Sequence, residues 1–159
     1  MHGYQHTAVN MAALVPVAGL GLWANHPELV GAFGAGFLFG TLLVTPDLDL
    51  QFNDARRRWG GLRFIWAPYV ALSKHRGMSH SYVLGPLIRL LYLAVLVVPL
   101  VALAVHVAGP VHVAVPTWVF SLAILGYFVS QWLHLLCDRI QPDVRLVRSV
   151  RRRRGRGRS

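Results

Sequence analysis

The sequence predicts an all-α chain, an integral membrane four-helix bundle with an interfacial loop and a short helix between helices 2 and 3. Three observations predict it. Of 159 residues, 55% are hydrophobic and 14% charged, with a mean hydropathy of +0.47, too apolar for an ordinary soluble domain. Four apolar segments run over residues 7–24, 29–45, 82–105 and 117–137, near or above the ~20 residues that cross a hydrocarbon core. The sixteen Lys and Arg are also one-sided. Connections 25–28 and 106–116 hold none, while 46–81 and the stretch from Arg139 hold all but Arg89. Basic loops stay in the cytoplasm, which places 46–81, the tail and, after four crossings, the N-terminus on that side.

The first segment follows MHGYQH, which lacks the Lys or Arg of a signal peptide, and Pro16 interrupts its apolar run. A retained helix is therefore expected. In the second, Gly31, Gly34, Gly36 and Gly40 form small-xxx-small spacings that let helix backbones approach closely, so this helix should be central. Residues 50–66 mix Arg with Trp59, Phe64 and Trp66, a composition suited to the headgroup boundary. Pro68 and Tyr69 should open a short helix ending near Lys74. Residues 1–144 are read as one membrane-embedded domain, and 145–159 as a basic, disordered cytoplasmic tail.

The formal charge of +10 owes much to that tail, where Arg148–Arg158 contributes seven basic residues. A basic run beside a membrane helix fits anionic lipid headgroups. No aromatic interleaving or folded reader accompanies it, so nucleic acid is not the expected partner. A single cysteine, Cys137, excludes an intramolecular disulfide.

With that topology, polar residues gather at the cytoplasmic ends of the segments. His6 begins the first, Asp47 and Asp49 follow Pro46 at the end of the second, His75 and His80 precede the third, and His134 and Asp138 close the fourth. His134 and Asp138 are four apart, hence on one helix face. Asp47 and Asp49 would point the same way if their D-x-D were extended, and a turn at Gly77 would bring His75 to His80. Ionisable groups at membrane depth are costly, and a divalent cation would offset three clustered carboxylates. Seven candidate ligands allow one or two ions, with Zn²⁺ expected first and Mn²⁺, Fe²⁺ or Mg²⁺ also compatible. Each residue has a plainer reading: His134 as a core histidine, Asp138 paired with Arg139 or Arg76, Asp47 or Asp49 as a cap or a partner of Arg56–Arg58. His26, His106 and His112 fall on the opposite side and receive no role.

The stretches TPDLDL (45–50), RRWGGLRFIWAPY (57–69), KHRGMSHS (74–81), GPLIRLLYL (85–93) and WLHLLCD (132–138) resemble a family of small bacterial membrane proteins described as metal-binding. More distantly, P-D-x-D, H-R-x-x-S-H and H-x-x-x-D are similar to predicted metal-dependent hydrolases of the bacterial inner membrane. The resemblance implies metal binding by Asp47, Asp49, His75, His80, His134 and Asp138, joined by His6. Where the family commonly follows its N-terminal His with Asp, this chain has Thr7.

The function expected is that of a metal-dependent hydrolase at the cytoplasmic leaflet, cleaving a phosphoester of a lipid or membrane-associated substrate. Asp49 or Asp138 would accept a proton, and Arg76 would hold a phosphate or, as an alternative, orient Asp47 or Asp138. Ser79 would support a ligand by a hydrogen bond. The competing class is a non-catalytic metal-stabilised scaffold or metal sensor. A transporter fits less well, since neither repeats nor a midplane site is evident.

Overall fold

A computed structural model describes residues 3–50, 53–72, 81–110 and 114–138. Every described element is helical. Four long helices, α1 (Gly3–Trp23), α2 (Pro27–Leu42), α5 (Leu84–Ala108) and α6 (Thr117–Cys137), are joined between α2 and α5 by a 3₁₀ turn (Pro46–Asp49), α3 (Asp54–Arg58), a 3₁₀ helix (Gly60–Trp66) and α4 (Ala67–Leu72). Each long helix, with α2 counted through its 3₁₀ extension to Asp49, is long and apolar enough to cross a membrane. The expected short helix is thus α4, and the expected loop is itself two helical turns. The tail falls outside the described residues.

The central contact is α2 against α6. A Cβ built on Gly36 would collide with the Ala123 carbonyl, and one on Gly126 with the Phe33 carbonyl. Backbone touches backbone in both directions, as small residues permit in apolar bundles. Gly40 is equally tight against Ser130 and Gln131, whereas Gly31 and Gly34 face open space, so half of the small-residue pattern forms the contact. Gly36 meets Ala123 and, four residues on, Gly40 meets Tyr127, so α2 and α6 run parallel. α1 returns antiparallel to α2 through a tight turn with Asn25 at φ 61°.

The connection after α2 is shaped by unpaired helix-end carbonyls. Arg58 donates from Nη1 to the Leu42 carbonyl (3.1 Å), and Trp59 Nε1 donates to that of Leu43 (2.9 Å). A positive charge there also complements the helix dipole. Arg58 of the Arg56–Arg58 run therefore serves as a backbone cap here. Asn53 accepts from Arg56 N (2.7 Å) to cap α3, while its amide donates to the Asp47 and Leu50 carbonyls. Trp66, Tyr69, Leu48, Val44 and Tyr127 fill the core beneath this connection.

The expected four-helix bundle is in fact three helices with a fourth attached at one end. Only Gly85, Pro86 and Arg89 of α5 are buried, and every residue in 97–108 is exposed. Ile88, Leu90 and Leu93 pack against the core cluster, and hydrogen bonds add to the attachment. Tyr127 Oη donates to the Pro86 carbonyl (3.2 Å), Trp132 Nε1 to that of Tyr82 (2.8 Å), and Tyr92 Oη to that of Ile65. Uniformly apolar residues gave no sequence signal for which face, if any, would pack.

Candidate metal centre

The start of α1, the turn after α2 and the finish of α6 bring polar side chains together. His6, on the second turn of α1, places Nε2 3.0 Å from Asp138 Oδ1. The second Asp138 oxygen lies 3.7 Å from His134 Nε2, and Asp47 Oδ2 approaches the same nitrogen at 3.3 Å. The two imidazoles stack with centroids 3.9 Å apart and planes 15° apart. Asp138 is held at the end of α6, its backbone N–H donating to the His134 carbonyl (3.2 Å).

Burial sharpens this geometry. His6 and His134 are 3% and 4% exposed, while Asp47 and Asp138 keep 19% and 22%. Despite its two carboxylate neighbours, His134 Nε2 makes no hydrogen bond, and neither does His6 Nδ1. Buried polar atoms without partners are rare and costly. Ligand atoms of His6, His134 and Asp138 lie within 4.8 Å of one another, and Asp47 Oδ2 approaches the His134 corner of that group. Ligand atoms gathered this closely, with the His134 Nε2 left unbonded, fit a cation. Imidazole nitrogen with carboxylate oxygen is a set suited to Zn²⁺, Mn²⁺ or Fe²⁺.

Asp49 is placed differently. The D-x-D forms a 3₁₀ turn instead of an extended strand, because Pro46 fixes a helical φ at its start. At three residues per turn, residues two apart diverge. Asp47 reaches His134, whereas Asp49 is buried outside the converging group and its charge acts on the Tyr69 hydroxyl. Thr7 does not replace the family's Asp at the site, since its hydroxyl donates to the Gly3 carbonyl (3.2 Å) and accepts from Arg58 Nη2 (3.4 Å). His75, Arg76, Ser79 and His80 lie outside the described residues.

A family model described as "Uncharacterized metal-binding protein (DUF2227)" matches residues 1–148. The chain belongs to this family. An uncharacterized protein of Aquifex aeolicus (strain VF5) is 48% identical over 61 residues, a match covering 38% of this chain and 43% of that protein. The chain thus spans less than half the length of that relative. No solved structure matches.

Beneath the centre of this DUF2227 protein lies a polar layer absent from the sequence reading. Asn10, one turn below His6, donates to Thr41 Oγ1 (3.0 Å) and to the Ser130 carbonyl (3.1 Å), joining three helices. Gln131, one turn before His134, donates to the Gly40 carbonyl (3.1 Å) and accepts from Arg89 Nη2 (3.0 Å). The available signal was spacing: Asn10 follows His6 by four residues and Gln131 precedes His134 by three, which puts each pair on one helix face.

Proposed function

We propose that this DUF2227 protein is a membrane-embedded, metal-dependent hydrolase of the cytoplasmic leaflet, acting on a phosphoester of a lipid or other membrane-associated substrate. The observation that carries the reading is the buried, unbonded Nε2 of His134 facing two carboxylates beside the His6 ring. His6, Asp47, His134 and Asp138 would hold the ion, with His75 and His80 expected to complete the set. A divalent cation held there supplies Lewis-acid polarisation of a phosphoryl oxygen and lowers the pKa of a water toward neutrality. Asp49 or Asp138 would accept a proton. The two stacked imidazoles fix the depth of the site, and the partly exposed Asp47 and Asp138 mark its open side.

Membrane embedding is supported by the four long apolar helices and by large apolar side chains left exposed, such as Trp23 and most of α5. A contiguous apolar surface of this kind suits lipid rather than water. The basic tail would then meet anionic headgroups. Cysteines placed at Asn25 and Ser159, with Cys137 replaced by Ser, should label from opposite sides of intact cells; labelling from one side would overturn this topology.

For activity, full-length protein in detergent micelles is offered a panel of phosphoester lipids with and without chelator. Chelator-sensitive headgroup release is expected. No turnover on any lipid, with metal still bound, would leave the alternative, a metal-stabilised scaffold or metal sensor. The near-complete burial of both imidazoles is the observation that favours that alternative.

A further inference from the structure

The connection between α2 and α5 is anchored on one side and bare on the other. Its inner side chains are committed to the core: Ala55, Trp66 and Tyr69 are buried, and Trp59 packs edge-on against Trp66 while donating to the Leu43 carbonyl. Its outer side chains are not. Arg57, Arg58, Leu62, Arg63 and Phe64 are exposed, Leu62 by 56% and Phe64 by 66%. Arg56 Nε donates to the Arg63 carbonyl (3.5 Å), which brings the arginines of α3 beside the 3₁₀ helix. From Leu50 to Cys137 the sequence has a single acid, Asp54, and it lies against the start of α1, where a Cβ on Gly3 would come 3.0 Å from its Oδ2. Arginine interleaved with exposed Leu and Phe suits an element lying in the headgroup plane. The apolar side chains enter the acyl boundary, and the guanidinium groups pair with phosphate oxygens.

We propose that the outer face of α3 and the 3₁₀ helix docks anionic phospholipid and presents its headgroup to the metal centre. The inference rests on the membrane-embedded, lipid-directed reading above and names the class of lipid. Two hydrogen bonds tie this face to the centre. Asn53, the N-cap of α3, donates its amide to the Asp47 carbonyl, and Arg58 Nη2 donates to Thr7 Oγ1 (3.4 Å), the residue after His6. Charge selects among headgroups: a zwitterionic one carries a cation beside its phosphate, which the arginines repel, and an anionic one does not. Apolar surface selects lipid over a soluble anion or an acidic protein. Most of α5 is apolar and exposed in the same chain, and such surface marks a membrane contact.

The test uses full-length protein in phosphatidylcholine vesicles, with the seven arginines of Arg148–Arg158 replaced by Gln to silence the tail. Electron paramagnetic resonance of spin-labelled lipids reads the fraction held at the protein surface. Phosphatidylglycerol should be held at least about threefold more strongly than phosphatidylcholine. Arg57→Gln combined with Arg63→Gln, both at exposed positions, should at least halve that ratio, and Arg57→Lys with Arg63→Lys should keep it. A spin label on Leu62→Cys, with Cys137→Ser, should collide more with oxygen than with a water-soluble nickel chelate. Equal retention of the two lipids, a ratio unmoved by the Gln pair, or displacement of the labelled lipid by inorganic phosphate would overturn the docking surface and leave metal-dependent hydrolysis standing. Headgroup selectivity without chelator-sensitive turnover would keep the surface and remove the hydrolase. Protein that does not enter vesicles would remove the membrane reading and the surface together.

Discussion

Two histidine–carboxylate pairs sit at opposite ends of the α1–α2 hairpin, and they differ in almost everything except composition. At one end His26 Nδ1 lies 3.5 Å from Glu28 Oε1, with both side chains more than half exposed. At the other, His6 lies 3.0 Å from Asp138, stacked on His134 and almost sealed. Water solvates the first pair whether or not its members touch, so that pair contributes little. The second has lost water, and its nitrogens and oxygens must find partners or a cation. Side-chain chemistry supplies a candidate ligand; convergence from separate helices and exclusion of water supply a site.

The largest effect should come from breaking the sealed end. His134→Ala removes the nitrogen on which Asp47 and Asp138 converge. It should weaken metal binding by more than about a hundredfold, beyond the usual loss for residues that merely support a ligand, as measured by competition with a chromophoric chelator. Next comes the contact that brings α2 and α6 together. Gly126→Leu drives a side chain into the Phe33 backbone and should cost about 3 kcal/mol in thermal or denaturant unfolding. Gly34→Ala, with open space around it, should be neutral or gain about 0.5–1 kcal/mol.

A smaller loss is expected in the polar layer. Asn10→Ala removes two buried hydrogen bonds and should cost about 1–3 kcal/mol while the protein still binds metal, a separation visible by measuring unfolding and metal content on one preparation. At the exposed end, Glu28→Ala should change stability by less than about 0.5 kcal/mol and leave metal content alone. A marked loss of metal from Glu28→Ala would erase the contrast between the two ends.

What the sequence made legible follows from physics that acts along the chain. Four alternating apolar segments were expected to put His6, Asp47, His134 and Asp138 at one end, and those four side chains do meet. Gly36 and Gly40 announced a close helix contact by their spacing. Gly126, alone on α6, did not, because its reason is the Phe33 backbone of another helix. Asn10 and Gln131 were silent for the same cause: their partners lie up to 120 residues away. Arg89 read as a topological exception because its enclosure depends on α4 and α6 closing over it. The D-x-D was misleading in shape, since alternation along an extended chain gave way to a 3₁₀ turn after Pro46. Uniform hydropathy along α5 could not reveal that its outer half stays exposed.

The most direct measurement is elemental analysis of full-length protein purified in detergent, comparing wild type with Asp47→Ala and Asp138→Ala. Wild type should retain a divalent metal after dialysis, and both substitutions should lower it sharply while the helical signal in circular dichroism is kept. Equal metal content in all three proteins, or none in wild type, would contradict a cation held where α1, α6 and the turn after α2 converge.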